Sequence, residues 1–346
     1  MKYITPLLLI FTFLSFRSSR FTSDNFTKVE VDTLLAGGFS SRAITIDGNK
    51  IWYAADKSRY GYYDVATKKT LSETFSPDTL EFRSIAQTSK SIFLLNVASP
   101  AFLVKVDKAS GKREIVHKDD NKKIFYDSMQ FWNDKEGIAM GDPIENCLSV
   151  LVTRNGGNSW TKIDCAKLPK TSEGEAAFAA SNTNIVVKGN NTWIVTGGKH
   201  ARVLFSSDKA KTWKIYDTPI VSGKSMTGIF TADFYDAKIG MVAGGDYERQ
   251  NRNQENKAIT YDGGKTWKLI AENEGFGYAS CIQFVPKSKG LGLASVGASG
   301  LHYSCDGGKS WKQLLNDYSL YTIRFANDST AYAAGKDKLV RIRFKK

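Results

Sequence analysis

The chain has 346 residues, a formal net charge of +13 and 42% apolar residues. The basic excess favours acidic partners, but no dense Lys/Arg run occurs outside the last few residues, and aromatics beside basic residues follow strand alternation. That pattern argues against nucleic-acid binding. No long helical period appears and no Pro/Ser-rich linker divides the sequence, so residues 25–346 read as a single all-β domain despite their length.

At the N-terminus, Lys2 precedes an apolar stretch from Ile4 to Phe16, followed by Arg17 and Arg20. The stretch is short for a bilayer span and fits a signal-peptide core. No clean small-x-small cleavage site follows, so residues 1–24 are expected to be a signal peptide or an uncleaved anchor, with export to a periplasm, the cell surface or the exterior. With Lys2, Arg17 and Arg20 set aside, about +10 remains on the rest of the chain.

Next, Thr27–Leu35 alternates as an isolated strand. Two partial hairpin signatures follow, around Asp64 and Asp107, each keeping an Asp and a turn. Four fuller copies come after them. They are Thr153-Arg154-Asn155-Gly156-Gly157-Asn158-Ser159-Trp160 and Ser206-Ser207-Asp208-Lys209-Ala210-Lys211-Thr212-Trp213. The others are Thr260-Tyr261-Asp262-Gly263-Gly264-Lys265-Thr266-Trp267 and Ser304-Cys305-Asp306-Gly307-Gly308-Lys309-Ser310-Trp311. This resembles the Asp-box, or BNR, hairpin of β-propellers. Asn155, Asp208, Asp262 and Asp306 accept backbone N–H groups. Gly supplies positive φ, and Trp160, Trp213, Trp267 and Trp311 supply apolar packing. These eight residues are expected to be structural.

The Trp-to-Trp steps of 53, 54 and 44 residues suit four-stranded blades. Blade limits fall near 40–76, 80–119, 124–165, 174–219, 225–273, 278–317 and 320–346. The last stretch supplies three strands and lacks a fourth, which Thr27–Leu35 would provide, closing the ring. The expectation is a seven-bladed β-propeller of four-stranded antiparallel blades, with six or eight blades as alternatives.

Cys147 and Cys165 lie symmetrically about the 153–160 hairpin. A cross-strand disulfide and two buried thiols are both compatible with that placement. His117, His200 and His302 are scattered and no Cys-x-x-Cys occurs, so neither a metal nor a cofactor is expected.

The Asp-box hairpins occupy one face, so binding belongs to the other. There Arg42, Arg83, Asp127 and Glu175 are expected at the entries to the innermost strands of the first four blades. Asp56, Arg59, Asp142, His200, Arg202 and the group Asp246-Tyr247-Glu248-Arg249 come from loops between second and third strands. Tyr278 and Tyr321 add aromatic surface. From this mouth, Arg42, Arg83, Asp127, Asp142, Glu175, Arg202, Asp246 and Tyr247 are the candidate binding residues, and no catalytic residue is assigned. Mixed Arg and carboxylate lining suits a polar or anionic ligand or a protein loop.

Phe82-Arg83-Ser84, Gly141-Asp142-Pro143, Glu175–Ser181, Thr196–Arg202, Gly228-Ile229-Phe230 and Gly244-Gly245-Asp246-Tyr247 together resemble bacterial relatives of the photosystem II stability/assembly factors. The resemblance runs from about Thr27 to Phe344. It implies an exported seven-bladed propeller acting as an assembly chaperone through an Arg-rich patch, which Arg42 and Arg83 match. The weakened first two hairpins and the Asp246–Lys257 insertion depart from that family. Some relatives carry an oxidoreductase label, for which no nucleotide, haem or flavin motif is present.

The reading is therefore a non-catalytic propeller binding a protein partner or assembly intermediate, with an anionic glycan or a membrane surface as further partners and no nucleic acid. The alternative is a sialidase-like glycoside hydrolase. It would take arginines from Arg42, Arg83, Arg202 and Arg324, a Tyr nucleophile from Tyr247 or Tyr278, and Glu175 as base. A third reading is glycan binding without turnover.

Overall fold

The computed structural model describes residues 24–77 and 79–346. The apolar leader, and with it the expected signal peptide or anchor, lies outside them. Strands nearest the middle of each sheet are buried on both faces, as in Ser91–Asn96 and Gly240–Asp246, whereas an outer strand such as Thr70–Thr74 is mostly exposed. Burial that falls from inner to outer strand is what sheets packed face to face around an axis require.

The chain is an all-β propeller of four-stranded antiparallel blades, and among the described residues its strands hydrogen-bond into six sheets. Seven separate blades were the expectation, and the number is corrected. The physical reason is one continuous strand, Lys28–Asp47. Its first part pairs antiparallel with the end of Thr330–Lys345, Val29 opposite Phe344 and Thr33 opposite Val340. Its second part pairs with Lys50–Ala55. The first and last groups of strands are thus one sheet, in which neither Lys28–Asp47 nor Thr330–Lys345 is an edge strand. Phe26 is buried beside Tyr303 and Phe344, with ring centroids 5.2 and 5.4 Å away. Asp32 pairs with Arg341 at 2.7 Å on the same ribbon.

The four repeated hairpins are held by local hydrogen bonds. Asp262 Oδ1 accepts from the backbone N–H of Lys265 and Thr266, both at 3.0 Å, and its Oδ2 accepts from Thr266 Oγ1 at 2.7 Å. Thr260 Oγ1 accepts the Gly264 N–H at 2.9 Å. Asp208 and Asp306 repeat the pattern, and Asn155 a variant of it. Burial alone would raise the Asp208 and Asp262 carboxyls, but these donors outweigh it and hold both at about 2. Behind the turns, Trp267 and Trp311 meet Phe234 and Phe276 edge-on, at 6.0 and 4.8 Å. Cys147 and Cys165 are joined in a disulfide with Cα atoms 5.7 Å apart, so of the two arrangements open to the sequence this chain adopts the bonded one.

One segment departs from the strand pattern. Between Glu175–Ala176 and Ile185–Lys188 the chain is irregular, yet Ser181, Asn182, Thr183 and Asn184 are all buried. Buried irregular backbone must find hydrogen-bond partners, and here they come from the surrounding inner strands. Asn182 Nδ2 donates to Ile85 O at 2.7 Å, and its Oδ1 accepts from Met129 N at 2.9 Å. Ser181 Oγ bonds Ser280 O, Thr183 Oγ1 bonds Thr231 Oγ1, and Ser181 O accepts from Thr322 Oγ1 and Arg324 Nη2. Residues 180–183 therefore form a plug tied to inner strands on every side.

Candidate functional site: a cup above the central plug

The inner strands share a local defect that builds the site. Register breaks leave one unpaired residue in each of six of them: Arg42, Arg83, Asp127, Phe230, Ser280 and Tyr321. A β-bulge re-aims its extra side chain. On the facing strand, Gly141, Gly244, Gly297 and Gly335 admit the close approach, since a Cβ at any of them would run into the backbone carbonyl of Phe125, Gly228, Tyr278 or Ser319.

Three of the re-aimed residues, Arg42, Arg83 and Phe230, line a cavity of about 450 Å3 that Ala176–Ala180, the start of the plug segment, also line. One side is charged. Arg42 and Arg83 line it, with Asp142 beside them. Arg42 lies over the Tyr321 ring at 4.1 Å and donates to Ala180 O at 3.3 Å. Arg83 is paired with Glu81 at 2.7 Å. Asp142 accepts the Ala177 N–H at 2.7 Å. Burial raises its carboxyl to about 6, with that hydrogen bond opposing the shift.

The other side is aromatic. Phe178 and Phe230 stack nearly parallel, 8° apart, with centroids 3.8 Å apart. Tyr278 meets Phe230 edge-on at 4.8 Å, and Tyr247 meets Tyr278 at 5.1 Å. Tyr247 keeps 40% of its surface exposed, so the wall reaches solvent there.

The candidate residues divide into four groups. Arg42, Arg83, Asp142 and Tyr247 come together in the cup. Asp127 is fully buried next to it; burial foremost, then the neighbouring Asp142, push its carboxyl well above the ordinary range, against the pull of Arg83. Glu175 and Arg202 do not join the cup, which corrects the placement of Glu175 at an inner-strand entry. Glu175–Ala176 pairs instead with Gly197–Gly198 and so extends the neighbouring sheet, ten residues before the inner strand Ile185–Lys188. The Glu175 carboxylate is buried against Arg202 and also accepts from Thr196 Oγ1 at 2.7 Å and Ser172 N at 2.9 Å. With every lone pair occupied it is a fastening, and the glycosidase arrangement loses its base. Asp246 caps the turn Tyr247–Arg249 by accepting from Glu248 and Arg249 N–H groups.

No protein-family model and no curated protein sequence matches this chain. Solved structures do. The fold is similar to one described as "YCF48 bound to D1 peptide", at 11% identity and TM-score 0.66, covering 94% of this chain and 99% of that one. It is similar to YCF48 from Cyanidioschyzon merolae at 12% identity and TM-score 0.63, over 91% and 98% of the two chains. The RRP9 WD40 repeats match at 10% identity and TM-score 0.66, over 91% and 97%. The fold is a β-propeller. At such identities the likeness extends to the fold alone.

The candidate list missed Phe178, Phe230 and Met226. A signal for Phe230 was present: glycines in second strands, as in Gly244, mark a close backbone approach and hence a bulge opposite. Phe178 lies in the singled-out phrase Glu175–Ser181, but its place in the wall depends on the plug, which no local pattern announces.

Proposed function

We propose that this chain is an exported, non-catalytic binding propeller whose cup holds a segment of a protein partner, such as an assembly intermediate. The observation that carries this reading is the plug. It closes the cup from below, so an occupant enters and leaves by one face and meets an aromatic wall opposite an arginine wall. Arg42 has no carboxylate partner among the described residues, which leaves it free for a carbonyl or carboxylate of the segment. A bound D1 peptide on a neighbour of the same fold is in keeping with this use of the scaffold. The Cys147–Cys165 disulfide supports the export that the leader suggests.

We also infer a seven-fold repeat within the six sheets. Thr330–Lys345 folds back near Asp337, which has φ 59, and Phe344 N donates to Ser329 O at 2.8 Å. The sheet containing both chain ends then holds strands enough for two blades. Seven apolar clusters, each joining two successive groups of strands, support that arrangement.

A pull-down from the envelope fraction, comparing the natural protein with Arg42→Ala/Arg83→Ala, tests the binding role. Loss of specific partners from the variant is expected; identical partner profiles would sink it.

A further inference from the structure

The polar groups of the cup differ in how much of their bonding capacity is already used. Arg83 donates Nε to Glu81 at 2.8 Å and pairs through Nη2 as well. Asp142 holds the Ala177 N–H. Asp127 accepts nothing: both carboxyl oxygens are buried without a donor among the described residues, in a side chain with no exposed surface. It occupies the same bulged position in its inner strand as the cup-lining Arg42, Arg83 and Phe230. Its charged neighbours, Asp142 and Arg83, both line the cavity. A carboxyl so placed is costly unless something supplies donors.

Across the cavity stand the rings of Phe178, Phe230 and Tyr247. Ring faces attract cations, most strongly where water is excluded. The nearby guanidinium of Arg83 is largely neutralised by Glu81, so its opposition to an incoming positive charge is reduced. The unspent capacity at this end of the cup is therefore on the acceptor side.

We propose that Asp142, which lines the cup, and the buried Asp127 beside it form, with the facing aromatic wall, a subsite for a basic side chain, lysine or arginine, of the bound segment. It rests on the reading of the cup as a segment-binding site and adds to it a required residue chemistry. Arg42, at the other end of the charged wall, holds a carbonyl or carboxylate of the same segment. The occupant is thus an extended peptide with a cation at one fixed position.

A random linear heptapeptide display library selected on the full chain tests this. The expected result is one fixed basic position, in peptides whose capture is lost in Arg42→Ala. Replacing that residue by norleucine in a synthetic copy should weaken binding about tenfold to the natural protein. The same replacement should change binding to Asp127→Asn by less than about twofold. Asp127→Asn should melt no lower than the natural protein, so a weakened response there is not unfolding. Cup-dependent peptides without a recurring basic position, or an equal norleucine effect in both proteins, would overturn the subsite and leave the cup reading intact. Peptides selected without dependence on Arg42 would overturn both.

Discussion

The two ends of the strands use aspartate in opposite ways. At the hairpin end, Asp208 and Asp262 each gather backbone and hydroxyl donors and are held at about 2. At the cup end, Asp127 has no donor and Asp142 has one, and both carboxyls are pushed upward. The same side chain is thus a completed fastening at one face and an unfilled acceptor at the other. Repetition is found where the bonding is complete. A binding role is sought where it is not.

The largest effect should come from the floor that separates the two ends. Asn182→Ala removes three buried hydrogen bonds, to Ile85, Ser128 and Met129, and should cost about 2–4 kcal/mol in denaturant unfolding; a loss below about 0.5 kcal/mol would mean the plug does not hold the ring. On the hairpin face, Asp262→Ala should cost about 1–2 kcal/mol with partner capture unchanged. Altered capture would break the division between faces.

Asp127→Asn should do the reverse, raising stability by about 1 kcal/mol near neutral pH while altering capture. The sign follows from its raised carboxyl. That group favours the folded state while protonated, and the favour is lost as pH rises above the ordinary aspartate value near 3.8 towards its folded one. The advantage of the Asn variant should therefore be absent below about pH 4 and grow above it. For Asp208 and Asp262 the sign is opposite: their contribution is present above about pH 4 and disappears as pH falls towards 2, so Asp208→Asn/Asp262→Asn should flatten the acid limb of the stability curve. Smallest of all, Tyr247→Ala should change stability by less than about 0.5 kcal/mol, because much of its ring is already in solvent, yet it should reduce capture.

What could be read from the sequence follows the range of the interactions. The hairpins were legible because Thr260, Asp262, Gly264 and Thr266 satisfy one another within seven residues. The closing strand at Thr27–Leu35 was legible because the final stretch lacked one strand, although the continuity of Lys28–Asp47 that merges two groups of strands into one sheet was not. Arg42, Arg83, Asp142 and Tyr247 could be placed at the mouth by counting strands from the hairpins. The plug could not. Asn182 bonds Ile85 and Met129, partners far away in sequence, and no local pattern distinguishes Glu175–Thr183 from the start of another strand. Misplacing Glu175 was the direct consequence, since the irregular segment leaves it ten residues before the inner strand Ile185–Lys188.

Site-specific photocrosslinking in the native host decides between the two faces as the binding surface. A benzophenone side chain is placed either at Ser225, exposed at the rim of the cup, or at Tyr261, 59% exposed on the hairpin face. A discrete crosslinked protein is expected from position 225, lost in Arg42→Ala/Arg83→Ala, and none from 261. A partner captured equally from both positions, or from 261 alone, would contradict it.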